Sequence, residues 1–301
     1  MRILFVVLLL AMTTACEQKP KWQGSLETLL ASQPERFATV MQHPEKYRVQ
    51  IMYTQIDRGF DNQPGFKTFL YNVNPGEYFY PASTVKLPVS ILALEKLRRL
   101  NRPGLDRDTT MLTGSAAAFQ TEAKTDETSP GGLPSVAQYI RKILLVSDND
   151  AFNRLYEFVG QREINERLRR MGYFDTRIIH RLESSLSEEE NRWTNPVQFV
   201  QGDEVVYEQD AVYSETSFRS TQPLRLGVAE IVDGERLERP KDFAGKNAYS
   251  LLDQHEFIMN LVFPGSGKAR RRVHLGEEDL RFIYRYMSMY PGESGISVYS
   301  D

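Results

Sequence analysis

One pair of residues in this sequence is spaced to supply both a nucleophile and a base. In the run Tyr80-Pro81-Ala82-Ser83-Thr84-Val85-Lys86, Ser83 precedes Lys86 by three positions, and no other lysine of the chain has a serine at that distance before it. Residues three apart on a helix share a face, so a hydroxyl and an amine can meet at the start of one. A serine hydroxyl is a weak nucleophile until a base takes its proton. A lysine can be that base once burial or neighbouring cations lower its pKa. A helix start adds unpaired backbone N–H groups and positive dipole character beside Ser83, which favours negative charge developing there. By itself the spacing is a weak signal, since a capping serine with a surface lysine one turn on has the same form.

Two further groups give that pair company. Ser147-Asp148-Asn149 falls on a break between two helical runs, where short polar side chains can point into a cleft. A second hydroxyl can relay a proton, and an asparagine amide can bind a substrate carbonyl or hold the lysine. The same tripeptide also reads as an ordinary helix cap. Glu183 lies in Arg181-Leu182-Glu183-Ser184-Ser185-Leu186-Ser187, a stretch with little helical or strand period. A carboxylate on such a loop could activate water for attack on an ester; taken alone it is a surface glutamate in an acidic segment.

The elements that must position these groups follow from the apolar pattern. Residues 25–41 carry apolar side chains at helical spacing, interrupted near Pro34. Residues 47–56 and 66–73 alternate as strands around a turn at 57–65, which predicts a hairpin. A helix is expected over 82–100, ended by Pro103-Gly104. Residues 109–132 read as loop with one short helix. Helices are then expected over 133–145, 151–159 and 162–171, with Gly160 and Gly172 as breaks. Beyond Phe174 the pattern weakens until a helix at 277–289.

At the other end, Met1-Arg2 precedes an apolar run over 3–11, too short to span a bilayer, and then Thr13-Thr14-Ala15-Cys16. This predicts a secretory signal over 1–15, a polar tether over 16–24 and one globular domain over 25–301. Cys16, the only cysteine, sits where a lipoprotein signal places its acylation site, although Thr13 stands where a larger aliphatic residue is commoner. A plain signal cleaved nearby, with Cys16 incidental, is the other reading. The expected location is exported, periplasmic and tethered to a bacterial membrane by lipid alone.

Composition excludes other classes. The chain has 301 residues, 41% apolar and 26% charged, with a formal net charge of −3. It can bury a sizeable core, and no basic surplus suggests nucleic acid. His43, His180, His255 and His274 show no metal-ligand spacing, so neither a metal nor a cofactor is expected. Gly265-Ser266-Gly267-Lys268 lacks the outer residues of a phosphate loop.

Ser-x-x-Lys, then Ser-Asp-Asn, then a loop glutamate resembles the ordered motif set of class A serine β-lactamases and related penicillin-binding proteins. The resemblance runs over roughly residues 25–190 and includes the run from Asn165 to Gly172 that leads to Arg181-x-Glu183. It implies an α/β fold of the α+β type, with a helical half and an antiparallel sheet flanked by helices. It also implies roles. Ser83 would be acylated and Lys86 would accept its proton, directly or with a water held by Glu183. Ser147 would relay a proton to the leaving nitrogen, Asn149 would bind the acyl amide, and Glu183 would deprotonate the deacylating water. The implied partner is a small β-lactam or a peptidoglycan-like peptide. Alternatives on the same scaffold are a D-Ala-D-Ala carboxypeptidase or transpeptidase, another amide hydrolase, or a non-catalytic anchored protein.

Two departures stand out. Ser187 occupies the place where the family carries an asparagine that shares the water with the glutamate. No Lys-Thr-Gly follows: Lys241, Lys246 and Lys268 precede Asp-Phe, Asn-Ala and Ala-Arg. Residues 191–276 look like an insertion, and the expectation is a chain whose closing strands and third motif lie beyond Asp301.

Overall fold

The computed structural model describes residues 25–232, 234–266 and 271–299. The expected signal, tether and Cys16 lie outside them. The chain divides into two compact units, one ending at Asn72 and one running from Val73.

In the first unit, Ser25 caps α1 (Leu26–Ala31) by accepting the Thr28 N–H at 3.1 Å. Pro34 then opens α2 (Pro34–Gln42) and Pro44 opens α3 (Pro44–Tyr47), each at the helical position where a missing N–H costs nothing. Tyr47 therefore closes a helix instead of starting a strand. The antiparallel hairpin that follows pairs β1 (Ile51–Arg58) with β2 (Pro64–Tyr71), in register from Ile51 opposite Tyr71 to Arg58 opposite Pro64.

The second unit is built around α4 (Lys86–Leu100), of which eleven consecutive or near-consecutive residues from Lys86 to Leu97 are buried apart from Leu87. A helix buried on nearly every side lies inside a core, and its polar members Lys86, Ser90, Glu95 and Lys96 are buried there with partners. α5 (Val136–Val146) and α6 (Asn149–Val159) pack on it and on each other, and α7 (Gln161–Met171) continues from α6 after Gly160. Val89, Ile91, Leu94, Ile140, Phe152, Leu155, Phe158 and Ile164 form the centre of this core.

The segment expected to be loop contains β3 (Thr110–Thr113), which joins β4 (Val197–Gln201) and β5 (Glu204–Gln209) in a three-stranded antiparallel sheet. Beyond it, β6 (Arg225–Leu226) pairs with β9 (Lys241–Asp242), and between them β7 (Glu230–Val232) pairs with β8 (Glu235–Leu237), one short ladder nested within the other. Two helices complete the unit. α8 (Leu251–Val262) was not expected; Ser250 caps it by accepting the Asp253 N–H at 3.1 Å. α9 (Glu277–Met287) lies against α5. Among the described residues only short 3-10 turns follow α9, and no described helix is long and apolar enough to cross a membrane.

Candidate active site

Ser83 stands on a 3-10 turn, Ala82–Val85, that runs directly into α4. Ala82 holds φ at +45°, a left-handed conformation in a residue with a Cβ, which costs on the order of 1–3 kcal/mol and persists only where neighbours enforce it. The bend turns the chain sharply before the helix. It leaves Ser83 and Thr84 exposed while Val85 and Lys86 are buried. Thr84 braces the turn by donating its hydroxyl to the Pro81 carbonyl at 2.8 Å.

Lys86 is 3% exposed, and its three contacts all go to the turn between α5 and α6. The ammonium reaches the Ser147 carbonyl at 2.5 Å, the Ser147 hydroxyl at 3.1 Å and the Asn149 Oδ1 at 2.6 Å. Ser147 can face inward because it ends α5 in a left-handed conformation, φ +57°. Asp148 then caps α6 by accepting the Ala151 N–H at 2.8 Å. Burial lowers the Lys86 pKa, and Asp148 and Glu183 pull it back up.

The partner set also suits the neutral amine. Two of the three partners, the Ser147 carbonyl and Asn149 Oδ1, can only accept, so they take the two N–H bonds an uncharged amine retains. The third is a hydroxyl, which can donate to the amine's lone pair. The site can therefore hold Lys86 in either protonation state without orphaning a buried group.

Asn149 links this pair to the loop carboxylate: its Nδ2 donates to Glu183 Oε2 at 2.7 Å. Glu183 is exposed and also sits at positive φ, +48°. Its loop is held by Arg181, which the sequence places in the same motif, and by Asn153, Glu157, Arg154 and Asn191, which the sequence reading does not single out. Asn153, one turn after Asn149, grips the Leu182 backbone from both sides, accepting its N–H at 2.9 Å and donating to its carbonyl at 3.0 Å. Arg181 is buried against Glu157 at 2.8 Å, and Arg154 reaches the other Glu157 oxygen at 3.0 Å. Burial pushes the Glu157 carboxyl up, and the two guanidinium groups oppose that rise. Asn191 closes the loop, accepting the Arg181 N–H and donating to the Leu186 and Ser187 carbonyls. The i,i+4 repeat of asparagines at 149 and 153 was the one local signal for any of these.

Ser187 has other work. Its hydroxyl donates to Glu190 Oε2 at 2.8 Å and accepts the Glu190 N–H at 3.2 Å. That reciprocal cap engages both its donor and an acceptor site, so the hydroxyl braces the loop's own turn.

The structure thus joins Lys86, Ser147, Asn149 and Glu183 by hydrogen bonds and places Ser83 one helical turn from Lys86. The Ser83 hydroxyl bonds to none of them, while its carbonyl accepts the Lys86 backbone N–H and so closes the 3-10 turn. Cavities of about 470, 330 and 260 Å³ are lined by other residues. Among the described residues no group of three or more His, Cys, Asp or Glu is placed to hold a metal ion.

A mixed helical and antiparallel fold of this kind fits the β-lactamase-like class. The beta-lactamase enzyme family model matches residues 35–226, more than half of the chain, and the protein belongs to that family. No curated protein matches it in sequence.

Proposed function

We propose that the protein opens β-lactam amides through an acyl-serine intermediate. The supporting observation is the continuous run of hydrogen bonds from Lys86 through Asn149 to Glu183. Neutral Lys86 turns its lone pair from the Ser147 hydroxyl to Ser83 and takes the Ser83 proton as Oγ attacks the lactam carbonyl. The Ser83 N–H, at the helix start, is one donor for the oxyanion; losing such a donor typically lowers the rate about a hundred- to a thousandfold. The ring C–N bond breaks as Ser147 gives its proton to the leaving nitrogen and recovers one from the Lys86 ammonium. Asn149, whose amide faces both Lys86 and Glu183, also binds the acyl amide. Glu183 then removes a proton from water, the resulting hydroxide attacks the ester, and the proton returns to Ser83 as the C–O bond breaks.

A second reading rests on Ser187. With its hydroxyl engaged by Glu190, it offers Glu183 less help with the water, which favours a slow-deacylating, penicillin-binding enzyme acting on wall peptide. One experiment addresses both: intact-mass spectrometry after mixing with a simple penicillin, beside Ser83→Ala. A drug-sized mass gain or drug turnover that is lost in Ser83→Ala supports the acyl-enzyme. Rapid decay of the adduct favours the β-lactamase, and persistence favours the second reading. A folded wild-type sample showing neither adduct nor turnover would sink both.

We also propose export and lipid attachment at Cys16. The mass of the mature protein from bacterial membranes should then carry a diacylglyceryl group on that cysteine, and a mature chain starting elsewhere without lipid would remove the anchor.

A further inference from the structure

Residues 243–248 lie beyond the span matched by the family, yet they touch both arms of the site. Asn247 is fully buried. Its Oδ1 accepts the backbone N–H of Ile179 at 2.7 Å and of His180 at 3.1 Å, while its Nδ2 donates to the His180 carbonyl at 3.2 Å. Its own carbonyl accepts the Tyr78 hydroxyl at 2.7 Å. His180 stands three residues before Glu183, and Tyr78 stands five before Ser83. One residue therefore grips the chain entering the carboxylate loop with its side chain, and the chain entering the nucleophile turn with its backbone.

The surrounding contacts make this a wedge. Arg177 and Ala248 exchange both backbone hydrogen bonds, at 2.9 and 2.8 Å. The Arg177 guanidinium also caps the Lys246 and Phe243 carbonyls. The Phe243 ring packs against Tyr78, centroids 5.2 Å apart, and against Tyr80 at 6.2 Å; Tyr80 stacks on His180 at 6.3 Å.

We propose that Asn247 is a positioning residue for the acylation and deacylation cycle, setting Ser83 and Glu183 in register through their leading segments. The inference rests on the acyl-serine reading above. Its two halves separate. The side chain holds only the Glu183 arm, so Asn247→Ala acts on deacylation. The backbone bond to Tyr78 holds the Ser83 arm, so Tyr78→Phe, which removes only the hydroxyl, acts on acylation. Misplacing a reacting group by about 1 Å can slow a step by about a hundredfold.

The test measures acylation and deacylation rate constants separately, by time-resolved intact mass with a simple penicillin. The proteins are wild type, Asn247→Ala, Asn247→Asp and Tyr78→Phe, each first shown folded by circular dichroism. The expected result is deacylation slowed at least about tenfold more than acylation in Asn247→Ala. Asn247→Asp, which keeps the oxygen that takes both N–H groups, should restore part of that loss, and Tyr78→Phe should show the opposite split. A merely structural role would lower the active fraction and leave the ratio of the two rates unchanged; that outcome overturns the proposal. If Asn247→Ala does not fold, the Asn247→Asp and Tyr78→Phe ratios decide in the same way. Absence of an adduct on folded wild type would instead overturn the acyl-serine reading, and this inference with it.

Discussion

At the scale of single residues, Lys86 carries the most specific consequence. It is buried, so its ammonium is disfavoured and its pKa lies below the usual lysine value. A proton acceptor must be unprotonated, and the neutral fraction grows as pH rises through that lowered value. Acylation by the wild type should therefore climb with pH and level off below the range where a free lysine titrates. Lys86→Arg tests the point, because a guanidinium keeps the charge and cannot be deprotonated in a protein. Its acylation rate should fall by about 10²–10⁴. The check is the pH profile of adduct formation for both proteins. A flat wild-type profile, or near-normal acylation by Lys86→Arg, would remove Lys86 as the base. Strain acts at the same scale: Ala82, Ser147 and Glu183 all sit at positive φ, each at or beside a group assigned to the chemistry. Such strain is tolerated where the fold over-determines the backbone.

At the scale of elements, the turn between α5 and α6 and the loop around Glu183 act together through buried charge. Glu157 faces two guanidinium groups, and its side chain and that of Arg181 are almost wholly buried. Removing one member of a buried ion pair leaves an uncompensated charge and costs about 3–5 kcal/mol. Glu157→Gln should lower the urea-unfolding free energy by an amount in that range and slow deacylation through Arg181, two residues from Glu183. A change below about 0.5 kcal/mol, the range of a neutral surface substitution, would show that the network is dispensable. Much at this scale was legible beforehand. α2, α4, α5, α6, α7 and α9 each carry an apolar stripe, a breaker or a cap within their own residues. β3 was not legible, because four residues, Thr-Met-Leu-Thr, hold no period and become a strand only by pairing with residues 197–200 far along the chain. α8 had a local signal that went unread, Ser250 with Asp253 three positions on. Ser83 with Lys86 and Ser147 with Asn149 were visible because their spacing is local, whereas Glu183 was read only from the order of the motifs. Asn247, Asn191 and Glu157 were not visible, since what they hold is decided by tertiary approach.

At the scale of the whole molecule, the two compact units differ in how they are stabilised. The linked residues at 86, 147, 149 and 183, together with Ser83, all fall in the unit that begins at Val73. That unit has a core of large, fully buried side chains such as Tyr139, Phe152, Phe158, Phe199 and Phe257. In the first unit, the buried apolar residues among those described are Leu26 and Tyr71, while Phe60 at the hairpin turn is fully exposed. Burial of apolar surface contributes about 25 cal/mol per Å², so the first unit has far less burial to hold it than the second. Regions with few buried contacts open locally, at free energies well below that of global unfolding. Native-state hydrogen exchange should therefore find the β1 and β2 amides exchanging first and those of α4 and α6 last, with the difference retained in Ser83→Ala because the order reflects packing. The acylation rate, set within the second unit, should be unmoved by Phe60→Ser. Equal protection across both units, or a Phe60→Ser protein that acylates several-fold more slowly, would show that the hairpin is energetically continuous with the site and that the chain unfolds as one piece.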